Sequence, residues 1–318
     1  MNQAMVTSSA RDGWIRDRAL LLTNEPLPSH LAVWTDTSNF MAIERGHVVE
    51  LEGRLYLIRS NEHEGRFGID DQPKFWVKHA IDLETGAGKI LKLVFQEAFR
   101  IRVGALEFPC RRSAEKEARV LRLVRGDDRF MQGGVAQDAR GNLVRVIDTI
   151  PGVDLLTYLQ SVPLSHEAYC RTLLPGILRK VADCFAGIQR LHDAGLCHGD
   201  IRNDHLLIDR STGAFRWIDF DLDQEAPDFD VWSAGNVLHY VAGKGFVVFR
   251  EVVEARPDLS GRLTRDDASA FFPYRVMNLR KVYPYLPENL NRVLCRFAIG
   301  TTERYRRIAD IAEDLAAC

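Results

Sequence analysis

Residues 198–209 read HGDIRNDHLLID, a cluster of imidazole, carboxylate and guanidinium side chains that leads directly into an apolar run. Apolar residues at helical spacing over 177–191 predict an amphipathic helix before this cluster. The short segment WIDFD, residues 217–221, follows it. Asp200 and Asp219 therefore lie at the edges of short β segments. Phosphoryl transfer requires such a pair, because one carboxylate orients the acceptor hydroxyl and takes its proton while the other holds Mg²⁺ against the phosphates.

The N-terminal half has a strand-like pattern instead. Runs rich in β-forming residues, separated by turn signals, cover residues 47–51, 54–58, 75–81 and 89–95. The glycine-containing stretch 84–88 predicts a hairpin loop between the last two runs. Ser113 is a candidate N-cap for a helix, and two further strands are expected on either side of residues 139–142. After Pro151 the apolar spacing is mostly helical to the C-terminus.

This order of patterns predicts an α+β fold with two unlike lobes. The first lobe is expected to be an antiparallel β-sheet plus one helix, and the second to be mostly α-helical. We expect an N-terminal extension of unknown role over residues 1–45, the first lobe over 46–148 and the second over 149–318. The hinge between the lobes is expected near 148–153.

Composition limits the class of protein. Hydrophobic residues make up 46% of the chain, which is enough for a sizeable core, and Lys+Arg number 42 against 44 Asp+Glu. This near-balance favours neither nucleic acid nor a membrane as partner. The six cysteines form no C-x-x-C pair, no apolar run is long enough to span a membrane, and the first residues lack the apolar core of a signal peptide. We therefore expect a cytoplasmic protein.

Several motifs occur in the order found in protein kinases. Residues 188–200 resemble the approach to the kinase catalytic loop, and residues 219–221 are similar to the Asp-Phe-Gly element. Residues 230–235 match the buried helix that follows, and residues 286–315 resemble the last helices of bacterial Ser/Thr kinases. Over residues 54–318 the chain thus resembles a divergent, eukaryotic-type protein kinase of the bacterial Ser/Thr kind. This resemblance implies transfer of the γ-phosphate of ATP to a hydroxyl group, with Mg²⁺ or Mn²⁺.

The resemblance also implies roles for residues of the N-terminal half. Lys92, in an apolar strand, is similar to the kinase lysine that pairs with the α- and β-phosphates. Glu117, on the following helix, would position Lys92 through an ion pair. Residues 148–155 resemble the hinge that holds adenine through backbone groups, so that Asp148 belongs to the nucleotide site and Asp154 would reach the ribose.

Alternatives stay open at these positions. Lys89 and Lys78 compete with the chosen lysine, each as a candidate in a neighbouring strand position. Glu115 competes with Glu117 on the same predicted helix, and Asp154 is equally consistent with an ordinary turn aspartate.

The catalytic loop departs from the kinase pattern at three positions. Gly199 replaces the arginine that commonly binds a phosphate on the activation loop, and the resulting His-Gly-Asp triplet resembles small-molecule kinases of the aminoglycoside phosphotransferase type. His205 replaces the asparagine that binds a second Mg²⁺. Mg²⁺ prefers oxygen ligands, so four interpretations of this site stay open. The site uses one metal ion, or it favours Mn²⁺ with His205 as a ligand. Otherwise an oxygen comes from Asn203 or Asp204, or His205 serves only in packing. Arg202 stands where Ser/Thr kinases have the lysine that steadies the transferred phosphate.

Two loops also depart from the pattern. The segment Glu64–Gly68 has two glycines where the phosphate-binding loop usually has three. The stretch between Asp219 and Asp230 is much shorter than a kinase activation loop with its peptide platform. Asp221 replaces the flexible glycine of the Asp-Phe-Gly element, which makes conformational switching there less favourable.

Three functions are consistent with these residues. The first is an active ATP-dependent phosphotransferase, in which Asp200 and Arg202 are catalytic and Asp219 and His205 bind the metal. The second is a pseudokinase that serves as a nucleotide-binding or protein-binding scaffold. The third is a small-molecule kinase, since the peptide platform is missing. The partners expected are ATP and an unidentified protein or small-molecule phosphate acceptor.

Overall fold

The structure, a computed structural model, describes residues 2–66, 69–103, 106–224, 226 and 228–318. The chain forms two compact units. Unit 1 consists of Met1–Gln96, Glu117–Arg125 and Gln132–Thr149. Unit 2 consists of Glu97–Lys116, Gly126–Met131 and Ile150–Cys318.

Most strands lie before residue 149, and most helices lie after it. The α-helices of the described residues are α1 (Asn2–Thr23), α2 (Ala114–Leu123), α3 (Leu155–Ser161), α4 (His166–Thr172), α5 (Leu174–Asp193), α6 (Phe229–Gly243), α7 (Phe249–Ala255), α8 (Glu288–Cys295) and α9 (Ile308–Ala316). The β-strands are β1 (Val33–Trp34), β2 (Val48–Leu51), β3 (Arg54–Arg66), β4 (Ile69–Asp82), β5 (Gly88–Lys92), β6 (Ala98–Val103), β7 (Leu106–Arg112), β8 (Gly133–Gln137), β9 (Leu143–Asp148), β10 (Gly152–Asp154), β11 (Leu206–Asp209), β12 (Phe215–Trp217) and β13 (Leu222–Gln224).

Unit 1 is built on a seven-stranded sheet in the order β1-β2-β3-β4-β5-β9-β8. All neighbours pair antiparallel except β1 and β2, which pair parallel. Glu52 and Gly53 both have positive φ, 50° and 82°, as a two-residue hairpin turn with the twist of its strands requires. The predicted hairpin loop between β4 and β5 is also present. The predicted sheet is therefore confirmed, with one parallel pair added at its edge.

The residues before 46 belong to unit 1. Ile15 and Ala19 of α1 are fully buried in a cluster with Leu57 and Leu83 of the sheet region. Arg18 donates from Nε to the carbonyl oxygen of Leu83 at 2.6 Å, which fixes the helix against the chain after β4. The sequence analysis missed α1 because its apolar residues have weak helical periodicity.

A second cluster fills the interior of the sheet. Trp76 and Phe95 stack with ring centroids 4.0 Å apart. Fully buried side chains from four further strands or loops complete this core: Ile43, Val49, Leu91 and Val144. Since apolar burial contributes about 25 cal/mol per Å², this cluster stabilises unit 1.

The two ends of the sheet are tied to each other. The Ala139 amide, in the turn between β8 and β9, donates to the Thr35 carbonyl just after β1 at 2.8 Å. The Asp138 carboxylate accepts from the amide and the hydroxyl of Thr37 at 2.7 and 2.8 Å. Residues predicted to be an extension thus join the two ends of the sheet.

Unit 2 is mostly helical, as predicted. The predicted apolar positions of α5 are buried, and α9 packs against this helix. After α5, Gly195 has a φ of +68° and the Leu196 amide donates to the Leu191 carbonyl at 2.9 Å, an αL helix ending that favours glycine. Helix α6 is buried on nearly all sides.

Two small sheets complete unit 2. One has the order β10-β11-β12, and the other has the order β13-β7-β6. The second was not predicted, since it pairs a hairpin before α2 with the short segment after Asp219. The α+β class is confirmed, and Ser113 caps α2 by accepting from the Lys116 amide at 3.1 Å, as predicted. Among the helices of the described ranges, none has the length and apolarity that crossing a bilayer requires.

Candidate functional site

Lys92, Glu117 and Arg145 form a buried ion-pair group in unit 1, which we call the lysine cluster. Lys92 Nζ lies 2.7 Å from Glu117 Oε1, and Arg145 Nε lies 3.1 Å from Glu117 Oε2. Lys92 and Arg145 are cross-strand neighbours on β5 and β9, so both side chains lie on the face that α2 covers. These three side chains together carry one net positive charge. The ion pair implied by the family resemblance is present, and Arg145 is an addition.

The rivals of Lys92 have other partners. Lys89 forms an ion pair with Asp148, its cross-strand neighbour. Lys78 is fully buried and donates to the Ile43 carbonyl at 2.6 Å and to Asn61 Oδ1 at 2.7 Å. Burial lowers the pKa of Lys78 to about 8. Among the described residues, neither of these lysines contacts a helix carboxylate, whereas Lys92 contacts Glu117.

Asp200, His205 and Asp219 form a group in unit 2 that we call the aspartate cluster. His205 Nδ1 lies 3.6 Å from Asp200 Oδ2, and His205 Nε2 lies 3.6 Å from Asp219 Oδ2. Asp219 has a φ of +65°, in the left-handed region that is uncommon for residues other than glycine. Such backbone conformations concentrate at functional sites, where they aim a side chain that an extended backbone would turn away.

The hydrogen bond of His205 defines which ring nitrogen carries the proton. Nδ1 lies 2.8 Å from the Asp200 carbonyl oxygen. Because a carbonyl only accepts, Nδ1 must carry a hydrogen, and in the neutral ring the lone pair lies on Nε2. That lone pair is on the side of Asp219. In this tautomer the Nε2 lone pair therefore lies beside the Asp219 carboxylate.

The described residues contain no group of three or more His, Cys, Asp or Glu side chains arranged to hold a metal ion. A divalent ion bound by Asp219 and His205 would need phosphate oxygens and water to complete its shell, as is usual for Mg²⁺. Asn203 adds a further oxygen nearby in sequence. Its Oδ1 is buried and has no hydrogen-bond partner among the described residues.

Arg202 is held by Asp204. Its Nε donates to Asp204 Oδ1 at 3.0 Å, a second nitrogen contacts Oδ2, and NH1 is 3.8 Å from Asp200 Oδ2. Burial raises the pKa of Asp200, and the nearby His205 and Arg202 act against this rise. A raised pKa makes the Asp200 carboxylate a better proton acceptor than an ordinary aspartate.

Asp230 holds the loop before Asp200 in place. Its carboxylate, buried in α6, accepts from the amides of His198 and Gly199 at 2.7 and 2.8 Å and contacts His192 Nε2 at 2.9 Å. Although burial raises the pKa of Asp230, these contacts hold it below its ordinary value. The loop is thus anchored to the buried helix by charge-assisted hydrogen bonds.

Steric contacts explain why residue 199 is a glycine, and the sequence alone does not reveal them. Its φ is +87°, and a Cβ there would lie 2.1 Å from the Leu222 carbonyl oxygen. Lys116 Nζ donates to that same carbonyl at 2.5 Å and to the His198 carbonyl at 2.7 Å. The position therefore has no room for any side chain, arginine included. Lys116 was missed by the sequence analysis, since only tertiary contacts distinguish it from a surface helix lysine.

The segment after Asp219 is fixed by the β6–β7 hairpin. Arg112, at the end of β7, donates to Asp221 Oδ1 at 2.9 Å and to Glu97 Oε2 at 3.0 Å. Burial lowers the pKa of Arg112, but Asp221 and Asp219 more than offset this, so that the pKa is raised overall. The Ser113 amide donates to the Asp221 carbonyl at 2.7 Å. Asp221 is thus a structural anchor in the position of the flexible glycine.

Three predicted positions have other contacts or lie partly outside the described residues. Asp154 caps α3, where its two oxygens accept from the amide and hydroxyl of Thr157 at 2.8 and 2.7 Å. Its proposed contact with ribose stays a prediction. Glu115 is on the exposed side of α2, 3.4 Å from Ser113 Oγ. In the predicted phosphate loop, Phe67 and Gly68 lie outside the described residues, and Glu64–Arg66 end β3.

Comparisons with known proteins give matches of structure but none of sequence. No protein-family model matches the chain. No curated protein sequence matches it either. Among solved structures, the chain is similar to the kinase domain of PknI from Mycobacterium tuberculosis, with 13% sequence identity and a TM-score of 0.46 over 85% of this chain and 97% of that one. The description of the two clusters therefore depends on the contacts within each unit alone.

Proposed function

We propose that this protein is an ATP-dependent phosphotransferase that transfers the γ-phosphate to a hydroxyl group, of the Ser/Thr type. The observation that carries this proposal is the aspartate cluster, in which two carboxylates approach the two nitrogens of one buried imidazole at 3.6 Å each. The lysine cluster supports it, since a buried lysine oriented by a helix glutamate suits the binding of phosphate oxygens.

Asp200 acts as the base in this proposal. Its carboxylate would accept a hydrogen bond from the acceptor hydroxyl and take the proton as the phosphoryl group leaves ATP. Arg202, within 3.8 Å of Asp200, would place positive charge beside the transferred group. Its link to Asp204 keeps the guanidinium in a fixed orientation, which lowers the reorganisation needed during transfer.

Asp219 and His205 Nε2 would hold a divalent cation, Mg²⁺ or Mn²⁺, which neutralises charge on the phosphates when bound. The two donor atoms, an oxygen and an uncommitted nitrogen lone pair 3.6 Å apart, fit one ion. Since imidazole suits transition metals better than Mg²⁺, we expect Mn²⁺ to support binding more strongly. Lys92, kept in place by Glu117, would contact the phosphates of the nucleotide.

A scaffold without catalysis is the second candidate. The hydrogen bond from His205 Nδ1 to the Asp200 carbonyl also gives this ring a packing role, and Arg112 holds the segment after Asp219 in a fixed strand. A small-molecule kinase is the third candidate function. In this chain β13 pairs with β7 at the point in the sequence where a protein kinase has the segment that binds a peptide substrate. The acceptor decides between this third candidate and a protein kinase.

Thermal shift with ATP is the experiment that tests the nucleotide site. We expect ATP with Mg²⁺ or Mn²⁺ to raise the melting temperature of the wild-type protein, because a ligand of the folded state stabilises it. Lys92→Met and Asp219→Asn should abolish this rise. Lys89→Met is the matched control and should keep it. No rise with either metal, or equal losses in Lys89→Met and Lys92→Met, would contradict the proposal.

Phosphoryl transfer separates the enzyme from the scaffold. Radiolabelled ATP should label the protein itself or an added acceptor, or be hydrolysed, in the wild type. Asp200→Asn should lower that rate on the order of 10²-fold or more while the ATP-dependent thermal shift is retained, since the base acts on the acceptor and not on the nucleotide. Binding without any turnover in the wild type would favour the scaffold.

A further inference from the structure

Unit 1 contains a cavity that none of the three residues of the lysine cluster lines. It has a volume of about 460 Å³ and lies between the turn of β2 and β3 on one side and strands β8 and β9 on the other. Tyr56 and Val146 are apolar residues of the cavity lining, and Arg54 and Arg125 are positively charged ones. A cavity of this size lies within the range of ligand-binding pockets, which is roughly 300–1,000 Å³.

The edge of β8 that faces away from β9 has open backbone groups. The Asp148 amide donates to the Gln132 carbonyl, and the Asp138 amide donates to the Asn142 carbonyl. Since hydrogen-bonded positions alternate along an antiparallel pair, the even-numbered residues of β8 bond to β9 and the odd-numbered residues point outward. Gly133 and Val135 therefore direct their amides and carbonyls away from the sheet.

This outward edge is closed at one end and open at the other. The outward amide of Ala139 donates to the Thr35 carbonyl at 2.8 Å, and the outward amide of Gln137 donates to Glu52 Oε1 at 3.0 Å. For Gly133 and Val135, the described part of the chain provides no such partner. An unpaired strand edge is a template for a further strand.

Gly134, which lines the cavity, has no side chain to fill the space on this side of β8. A Cβ added at Gly134 would have no atom within 4 Å. Val146, the cross-strand neighbour of Gly134, also lines the cavity, so the missing side chain of Gly134 leaves space on this face. An incoming strand would thus find both open hydrogen-bonding groups along the edge and room for its side chains.

The charges around the cavity favour an acidic occupant. Lys89 is paired with Asp148, and the Glu52 carboxylate is used by the Gln137 amide. Arg125, at the rim, has no hydrogen bond or ion pair with any described residue. Arg54 contacts Asp82 through one nitrogen only and is half exposed. Two guanidinium groups therefore have donors left for carboxylates.

We propose that an extended, acidic peptide segment of a partner protein binds here as an added strand along β8. Its backbone pairs with Gly133 and Val135, and its acidic side chains contact Arg54 and Arg125. The geometry is β-strand addition, in which backbone hydrogen bonds provide affinity and side-chain contacts provide specificity. The site lies within unit 1 and is independent of phosphoryl transfer.

The test uses the full-length protein and a fluorescein-labelled hexapeptide of alternating Glu and Val, with a Lys-Val hexapeptide for comparison. Fluorescence anisotropy should show binding of the acidic peptide at least tenfold tighter than the basic one. Gly134→Leu adds a side chain on the cavity side of β8, where a Cβ has no atom within 4 Å, and should weaken binding at least tenfold. Arg125→Glu should do the same, whereas Arg122→Glu, on the exposed side of α2, should leave binding unchanged.

Hydrogen exchange provides a second measurement on the wild-type protein. The acidic peptide should slow exchange of the Gly133 and Val135 amides, because each becomes a donor in the added ladder. Failure of the acidic peptide to bind, equal binding of the basic peptide, unchanged binding by Gly134→Leu, or unchanged exchange at both amides would each overturn the proposal. ATP-dependent thermal shifts should be the same in Gly134→Leu and wild type.

Discussion

Glu117 is a carboxylate shared by two cations. Leaving a buried charge without a partner costs about 3–5 kcal/mol, so a lone Lys92–Glu117 pair would make any substitution of the lysine mainly a folding defect. Arg145, 3.1 Å from the other oxygen, continues to neutralise Glu117 when Lys92 is replaced. Lys92→Met therefore tests phosphate binding with a smaller effect on folding than a lone ion pair would allow.

His205→Asn tests whether this ring is a metal ligand. We expect the ATP-dependent rise in melting temperature to be larger with Mn²⁺ than with Mg²⁺ in the wild type. The asparagine amide can still donate to the Asp200 carbonyl, while its oxygen is a ligand that Mg²⁺ prefers. The ratio of the Mn²⁺ rise to the Mg²⁺ rise should therefore fall in the variant. His166→Asn, outside the aspartate cluster, should leave the ratio unchanged, and an unchanged ratio in His205→Asn would assign this ring to packing alone.

At the scale of elements, the β6–β7 hairpin holds the strand that follows the Asp219 motif. The strand β13, directly after the Asp219 motif, pairs with β7 over Leu222–Gln224. Arg112 joins this strand pair to Asp221 and Glu97, and its side chain is only 11% exposed. The chain from Asp221 to Gln224 is therefore held both by a sheet and by a buried ion pair.

Arg112→Met should destabilise unit 2 strongly. Breaking a buried ion pair by removing one partner costs about 3–5 kcal/mol, because Asp221 and Glu97 lose a shared cation. Arg111→Met is the matched control. Its partner Asp223 is at the surface and its own side chain is 72% exposed, so its loss should cost less than about 1 kcal/mol. Urea unfolding followed by circular dichroism measures both, and equal costs would show that the buried bridge contributes nothing beyond a surface pair.

Helix α1 is the second element whose role depends on packing. Ile15→Ala should lower the free energy of unfolding by about 2–5 kcal/mol, since the fully buried side chain leaves a cavity against Leu57 and Leu83. Leu21→Ala, at a side chain that is 73% exposed on the same helix, should stay within about 0.5 kcal/mol of wild type. If both substitutions have the same small effect in urea unfolding, α1 does not pack on the sheet in solution.

At the scale of the whole molecule, buried carboxylates in both units determine stability in acid. Burial raises the pKa of Asp138, but hydrogen bonds from Thr37 and Asn142 outweigh it and lower the pKa to about 2. Asp267 in unit 2 has a lowered pKa too, because hydrogen bonds from Lys281, Thr264 and Asn278 exceed the effect of burial. A lowered pKa means stability that is present above the unfolded value near 3.8 and lost as the pH falls through the folded value.

Asp138→Asn should change how stability depends on pH. Between pH 6 and pH 2 the free energy of unfolding of the wild type should fall by about 2 kcal/mol more than that of the variant. This is the free energy that corresponds to a pKa of about 2 in place of 3.8. Urea unfolding at pH 6, 4 and 2 measures the difference. The two proteins should converge at pH 2, and a constant difference at all three values would show that the Asp138 carboxylate is not the group that titrates.

The amino-acid sequence alone predicts the local features of this protein correctly. Ser113 caps α2, the apolar positions over 177–191 lie in α5, and the loop at 84–88 joins β4 to β5. Each depends on side chains and backbone within a few residues of one another, which a single sequence displays directly. The pairing of Lys92 with Glu117 was reached only through the family resemblance, and the α+β class followed from the change from strand-like to helical periodicity.

Contacts between distant residues required the tertiary structure. Arg145 joins the lysine cluster through the pairing of β5 with β9, Lys116 reaches two carbonyls near Gly199, and Arg112 reaches Asp221. The packing of helix α1 and the open edge of β8 are likewise features that only the tertiary structure reveals. Strand register and packing decide which distant groups meet, and neither the spacing of apolar residues nor a motif contains that information, because many registers bury the same side chains equally well.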